Sequence, residues 1–193
     1  MTEDQTQLLT NLRTSQEEIT TEWINYWLEY SFLDTWQFWF NFIMLFAPLI
    51  VLYFKLDKSK AFLLGFYGFN VHVWFSYLDT FFVKVGLVSY PYQAIPITPV
   101  NFGLDVSLIP VLFIFLYQWV LNHKKNYYLY ATALSAGLAF VFKPYLVVFQ
   151  LFEMHKVNYL HLFIGYVFVF LVSKWITNLF IYFKRNSIAE TNL

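Results

Sequence analysis

Five apolar stretches separated by short polar segments set the pattern of the chain. A helix rises about 1.5 Å per residue, so roughly 20 apolar residues are needed to cross a bilayer core. The stretches have about that length and cover residues 35–54, 61–83, 104–121, 127–149 and 159–183. The pattern predicts an all-α fold, a polytopic membrane helical bundle of five transmembrane helices between residues 35 and 183.

An acidic segment, residues 1–34, precedes the first apolar stretch and predicts an amphipathic helix over residues 5–30. Its apolar side chains recur at helical steps of three, four and seven; they are Leu8, Leu12, Ile19, Trp23, Tyr26 and Tyr30. Trp and Tyr favour the headgroup region, so we expect an interfacial helix that lies along the membrane. Lipid-surface helices usually carry basic residues, whereas this segment has seven Asp or Glu against Arg13, so a docking helix for a partner is the alternative.

Two polar segments complete the predicted domain organisation. A loop over residues 84–103 holds three of the six prolines, Pro91, Pro96 and Pro99. Proline restricts its own backbone and that of the residue before it, so we expect a defined, extended path that folds back over the mouth of the bundle. Residues 184–193 predict a polar cytoplasmic tail.

Small residues predict where helices approach closely. Gly65 and Gly68 form a smooth patch in the second stretch, and Ala133 and Gly137 have the small-xxx-small spacing of a packing seam in the fourth.

The composition excludes several classes of function. The chain is 59% hydrophobic and 24% aromatic with zero formal net charge, which argues against a nucleic-acid partner. It has no cysteine, so disulfides, thiolate nucleophiles and Cys-ligated metals are excluded. No Gly-rich phosphate loop, HExxH or GxSxG motif occurs, and we predict no cofactor.

Basic residues beside the stretches predict the orientation. Seven lie on one side, namely Lys55, Lys58, Lys60, Lys124, Lys125, Lys184 and Arg185. Three lie on the other, namely Arg13, Lys84 and Lys156. Because basic residues stay in the cytoplasm, we predict a multi-pass plasma-membrane protein with its N-terminus outside and its C-terminus inside.

Polar side chains within the stretches mark the candidate site. Ionisable groups are costly inside a membrane, so those found there favour a function. His72, Ser76 and Asp79 follow each other at steps of four and three, which predicts one inward stripe. We expect a shared pocket in the outer half of the bundle; the candidate residues are Asn41, Asn70, His72, Ser76, Asp79, Asp105, Lys143 and His161.

Each candidate also has a structural explanation, which the sequence leaves open. Asp79 and Lys143 could neutralise each other as a buried pair. Asp105 could serve a helix N-terminus, and His72 could be a neutral core histidine.

Two further residue groups suggest less specific chemistry. Lys174 lies deep in the fifth stretch, where we expect it to pair with Gln118 or extend towards the cytoplasm; a Schiff base to a chromophore is a remote alternative. The spacing of Glu153, His155 and His161 matches no strict metal template, so we predict no metal site.

Several runs carry a resemblance: GFYGFNVHVWFSYLD (65–79), YPYQAIPITPVNFGLDVSLIPV (90–111), YQWVLNHKKNYYLY (117–130) and SKWITNLF (173–180). They resemble an uncharacterised family of small, aromatic-rich integral membrane proteins of Gram-positive, spore-forming bacteria. The resemblance covers residues 36–183 and implies a five-span membrane protein. It carries no catalytic or binding residue over to this chain.

Three functions compete on this basis. The first is a non-enzymatic membrane protein that binds or moves a small molecule, ion or lipid, such as a small amphiphilic ligand, at the outer pocket. The second is a structural or regulatory subunit whose N-terminal helix recruits a partner membrane protein. The third and weakest is an intramembrane lipid-modifying enzyme that uses Asp79 and His72 as acid and base.

Overall fold

The structure, a computed structural model, describes residues 1–98 and 100–191, with side chains described through residue 186. Pro99 of the predicted loop and residues 192–193 of the predicted tail lie outside the described residues. The described chain forms helices α1 (Glu3–Tyr30), α2 (Trp36–Lys55), α3 (Ala61–Lys84), α4 (Gly103–His123), α5 (Tyr127–Val148) and α6 (Tyr159–Thr191), with strands β1 (Val88–Ser89) and β2 (Glu153–Met154). The predicted all-α class is confirmed.

Four helices are long and apolar enough to cross a membrane, namely α2, α4, α5 and residues 159–186 of α6. Their positions match four of the five predicted stretches. Helix α3 has the length, with 24 residues, but not the apolarity of the other four. The physical reason is the polar content that the sequence places there, Asn70, His72, Ser76 and Asp79. The fifth span remains a prediction.

Local side chains explain where the helices begin. The hydroxyl of Thr35 accepts a hydrogen bond from the Phe38 amide at the start of α2. The amide oxygen of Asn126 accepts from the backbone amides of Tyr128 and Leu129 at the start of α5. Such side chains satisfy amides that have no partner within the helix.

Helices α4 and α5 each contain a π-helical turn next to a proline. The amide of Ile109 bonds to the carbonyl of Leu104, five residues back, and Pro110 follows at once. The amide of Lys143 bonds to the carbonyl of Leu138 in the same way, and Pro144 follows. Proline has no N–H and its ring crowds the carbonyl four residues back, so a wider turn removes the clash.

The core lies between α3, α4 and α6. Its fully enclosed side chains are Leu64, Tyr67, Val71, Ile109, Phe113, Val169 and Phe170. Gly68 allows α3 to approach α4, because a Cβ at this position would overlap the side chain of Ile114. Gly65 and Gly137 face open space and Ala133 is exposed, so the predicted glycine patch reduces to Gly68 and the predicted seam on α5 does not form.

The loop after α3 is held at one end of the bundle, which we call the loop end. Strands β1 and β2 pair antiparallel there, with Val88 opposite Met154 and Ser89 opposite Glu153. These two-residue strands were not predicted, since their pairing joins segments more than 60 residues apart. The predicted defined path over the bundle mouth is nevertheless what the described part of the loop shows.

Helix α1 lies against this end with no buried residue. It is hydrogen-bonded to the loop: the indole N–H of Trp27 donates to the carbonyl of Gln93 at 2.8 Å. The hydroxyl of Ser31 accepts from the Gln93 amide at 3.0 Å. At the other terminus, α6 continues to Thr191, beyond the predicted end of the fifth stretch at residue 183.

Candidate functional site

Asp79 and Tyr90 form the first contact of a polar cluster at the loop end. Asp79 lies in the last turns of α3, and its Oδ1 accepts a hydrogen bond from the Tyr90 hydroxyl at 2.8 Å. Tyr90 follows β1, where side chains alternate between two faces, so that Val88 and Tyr90 turn inward. Burial and the neighbouring Asp79 carboxylate raise the pKa of Tyr90 well above its ordinary value, which keeps this hydroxyl a donor.

Lys143 approaches the same tyrosine from α5. Its Nζ donates to the Tyr90 hydroxyl at 3.4 Å and lies 3.5 Å from the ring centroid of Phe152. The side chain is buried, and the aromatic face supports the ammonium group through a cation–π contact. Lys143 and Asp79 make no direct contact: among the described residues, ion pairs within 4.0 Å occur only elsewhere, at Arg13–Glu17 and Lys60–Asp57. Tyr90 stands between the two groups.

Asp105 completes the cluster from the π turn of α4. It is fully buried, and its carboxyl faces that of Asp79 closely enough for the two to interact. Neither of its carboxyl oxygens, nor Oδ2 of Asp79, has a hydrogen-bond partner among the described residues. The predicted capping role falls instead to Asn101, whose Oδ1 accepts from the Leu104 amide at 3.1 Å.

His72 and Ser76 support the backbone beside this cluster. The Nδ1 of His72 lies 2.8 Å from the backbone carbonyl oxygen of Asp105. A carbonyl oxygen only accepts, so Nδ1 carries a hydrogen and donates it. The Ser76 hydroxyl lies 3.4 Å from the same nitrogen. His72 is thus committed to the α4 backbone rather than to the Asp79 carboxyl.

Asn41 joins α2 to the loop. Its Nδ2 donates to the Tyr92 carbonyl at 3.2 Å, and its Oδ1 accepts from Asn101 at 2.8 Å. Gly103 permits this approach, because a Cβ there would lie 2.8 Å from the backbone oxygen of Asn41. Asn41 therefore has a visible structural role at the margin of the cluster.

Two predicted candidates lie apart from the cluster. The Nδ2 of Asn70 donates to the carbonyl of Phe66 in its own helix at 2.8 Å. His161 is exposed, and its Nδ1 lies 2.8 Å from Oδ1 of Asn158. The structure brings together Asp79, Asp105 and Lys143, places Asn41, His72 and Ser76 around them, and leaves Asn70 and His161 outside.

A small cavity opens beside the charged groups. Its volume is about 30 Å³, and its polar wall consists of Asp79, Lys143 and Tyr166. The Tyr166 hydroxyl is buried without a hydrogen-bond partner among the described residues. Apolar side chains, including Phe75 and Phe152, form the rest of the wall. Sequence reasoning missed Tyr90 and Tyr166; the predicted folding of the loop over the bundle mouth was a signal for Tyr90.

A second polar group lies on the other side of the core. The Nζ of Lys174 donates to the Tyr117 hydroxyl at 2.6 Å. Behind it, the hydroxyls of Tyr67 and Tyr127 lie 2.5 Å apart. The expected pairing of Lys174 with Gln118 is wrong, because that amide accepts from the Asp57 backbone and donates to the Lys55 carbonyl, closing the α2–α3 turn.

The three residues considered for a metal separate in the structure. Glu153 and His155 both contact the hydroxyl of Ser89, at 3.1 and 2.9 Å. His161 bonds to Asn158 instead. Within the part of the chain that the structure describes, no three His, Asp or Glu side chains converge as metal ligands.

The chain was compared with family models, curated proteins and solved structures, and none matches it. The family resemblance therefore stays a prediction, and the function has to be argued from the cluster itself.

Proposed function

We propose that this chain is an integral membrane protein that binds, and exchanges across the bundle, one small monovalent cation at Asp79, Asp105 and Lys143. The occupant is a proton or an ion about the size of Na⁺. The observation that carries the proposal is an imbalance of charge: two enclosed carboxyl groups face a single enclosed ammonium group.

The imbalance matters because the three charged groups are buried. Two carboxylates and one ammonium leave one negative charge, and an uncompensated charge in a protein interior costs several kcal/mol. Three carboxyl oxygens also lack a partner among the described residues. One bound positive charge neutralises the site, and a proton or ion held between the two carboxyl groups gives a partner to oxygens that lack one. Oxygen ligands suit a hard cation, and carboxyl groups held together readily share a proton.

The cavity volume limits the occupant. About 30 Å³ is enough for at most about two water molecules and lies far below the roughly 300–1,000 Å³ of typical small-molecule sites. The site fits a proton, a bare monovalent ion or about one or two waters. An amphiphile or lipid, which the sequence left open as ligands, exceeds this cavity.

The proposal includes the topology. Helix α3 serves as the fifth span, because its polar stripe turns towards α4 and the loop rather than towards lipid. The excess of basic residues at the opposite end puts the loop end outside and the C-terminus in the cytoplasm of a plasma-membrane protein. The cation site then lies in the outer half of the bundle.

The test measures protons and Na⁺ together. Purified protein in nanodiscs is placed in weakly buffered solution with a pH dye, and NaCl is added against a choline chloride control. Release of about one proton per chain indicates Na⁺–proton competition. Without release, an infrared carboxylic-acid band that titrates with pH indicates a proton-only site. Either signal should disappear in Asp105→Asn and persist in Asp34→Asn, an exposed control. Absence of both signals would refute the proposal.

A subunit role is the second candidate, because one observation favours it. Helix α1 has 28 residues and buries none of them, while several large apolar side chains are exposed along it. Deleting residues 1–30 should then release a co-purifying membrane protein, detected by crosslinking in native membranes. The enzyme alternative lacks its acid–base pair, since His72 donates to a backbone carbonyl and is not paired with Asp79.

A further inference from the structure

A second, larger cavity lies at the loop end, outside the helical core. It has a volume of about 450 Å³ and lies between α1 and the β1–β2 pair. We call it the α1 groove; its main lining residues are Glu22, Trp23, Tyr26, Ser89, Pro91 and Glu153. Its size falls within the range of roughly 300–1,000 Å³ that is typical of small-molecule sites.

The groove and the buried cluster lie on opposite sides of the paired segments that contain β1 and β2. Val88 and Tyr90 turn into the protein, whereas Ser89 and Pro91 line the groove. On the segment that pairs with β1, Phe152 is buried under Lys143, and the next residue, Glu153, faces the groove. Alternation along extended backbone produces this division, so the groove is a separate site from the cluster.

Two carboxylates give the groove its charge. Glu22 comes from α1 and Glu153 from β2. Oε2 of Glu153 accepts from the Ser89 hydroxyl at 3.1 Å. No described residue donates a hydrogen bond to Glu22 or to Oε1 of Glu153, and none of the described residues lining the groove is Lys or Arg. The charge complement of the groove is therefore a cation.

Two aromatic rings stand beside the carboxylates. Trp23 and Tyr26 pack edge to face, with centroids 5.7 Å apart, and are 41% and 37% exposed. Partial burial, with a contribution from Glu153, raises the pKa of Tyr26, so its ring stays neutral at physiological pH. Aromatic faces attract ammonium groups, and their apolar surface suits an attached hydrocarbon.

We propose that the α1 groove binds an organic cation, an ammonium group carried on an apolar body. The carboxylates of Glu22 and Glu153 neutralise the ammonium group, and Trp23 and Tyr26 hold its carbon substituents. The ligand is either a free amine or the ammonium headgroup of a lipid, since the groove lies beside a helix with exposed apolar side chains. This inference is independent of cation binding at the buried cluster.

The experiment uses the full chain in nanodiscs of phosphatidylglycerol, a lipid without an ammonium group. Benzyltrimethylammonium chloride is titrated by calorimetry, with 3,3-dimethyl-1-butanol as an uncharged comparison that carries a tert-butyl group. We expect saturable binding of the ammonium probe alone. Glu22→Gln, Glu153→Gln and Trp23→Leu should each weaken it about three- to tenfold. Glu29→Gln, an exposed carboxylate of the same helix outside the groove, should leave it unchanged.

A second titration, in nanodiscs containing phosphatidylethanolamine, distinguishes the two sources. Weaker apparent binding there indicates that the lipid headgroup competes for the groove, and unchanged binding indicates a free amine. Asp105→Asn should retain probe binding, which separates this site from the buried one. Absence of saturable binding, or equal affinities in Glu22→Gln, Glu153→Gln and the unchanged chain, would overturn the inference. Circular dichroism checks that each exposed variant keeps its helices.

Discussion

Removing one charge at a time from the buried cluster should change stability in opposite directions. Lys143→Met keeps the length and apolar stem of the side chain and removes the ammonium group. Two carboxyl groups then remain enclosed without a positive charge. Removing one member of a buried charge set usually costs about 3–5 kcal/mol, and we expect that loss here. The lost contact with Phe152 adds little, because a thioether also packs well on an aromatic ring.

Asp105→Asn should behave differently. The substitution conserves the shape of the side chain and leaves one negative charge, on Asp79, and one positive charge, on Lys143. It also supplies an amide N–H to a site where Oδ2 of Asp79 lacks a hydrogen-bond partner among the described residues. We expect no loss of stability, or a gain of about 1 kcal/mol. When Lys143→Met is combined with Asp105→Asn, one carboxylate remains in the cluster instead of two. The loss of stability caused by Lys143→Met should therefore be smaller by at least about 1 kcal/mol than in the unchanged chain.

The assay is equilibrium unfolding in mixed micelles, followed by circular dichroism. The buffer contains no Na⁺ and uses a large organic cation, so that no bound Na⁺ compensates for the missing charge. If Asp105→Asn destabilises the protein as much as Lys143→Met does, the cluster is a packed polar network. The charge-balance argument, and the cation site built on it, would then be wrong.

Three further predictions use the same unfolding measurement. Gly68→Ala should lower the free energy of unfolding by about 1–3 kcal/mol, because a Cβ there overlaps the side chain of Ile114 on α4. Gly65→Ala should raise it by about 0.5–1 kcal/mol, because Gly65 faces open space. Equal effects of the two substitutions would contradict the close approach of α3 to α4. Gln118→Ala should lower the free energy of unfolding by about 1–3 kcal/mol, since it leaves one backbone donor and one backbone acceptor of the α2–α3 turn unpaired. An unchanged free energy of unfolding would show that water replaces the Gln118 amide. The hydrogen bond from Lys60 lowers the pKa of Asp57, so its contribution is present above the unfolded-state pKa of about 3.9 and is lost as pH falls further. Asp57→Asn should remove that acid-dependent step, and an unchanged acid profile would refute this assignment.

Hydrophobic pattern alone was sufficient to predict the helices. Four of the apolar stretches became helices long enough to cross a membrane, within a few residues of the predicted bounds, except that α6 extends further. Burial of apolar surface and helical period are local properties, and both are visible in a single segment. The pocket expected in the outer half of the bundle included Asp79, Asp105 and Lys143, because the fixed rise per residue of a helix sets the depth of each side chain in its stretch.

The pattern could not predict what each polar side chain contacts. His161 was expected in the shared pocket, but in the structure it is exposed beside Asn158. Asn101, which takes the capping role, and Tyr90, which separates Asp79 from Lys143, come from the loop, whose path no periodicity describes.

The sequence by itself determined an all-helical chain with helices of bilayer length and a polar stripe on α3. Each of these depends on neighbours within a turn or two of the chain. Only the tertiary structure decided that Asp79 and Lys143 meet at the Tyr90 hydroxyl beside a small cavity, with the carboxyl group of Asp105 buried near that of Asp79. That arrangement depends on strand pairing and helix rotation between segments far apart in sequence, where packing and hydrogen bonding of the whole chain select one geometry.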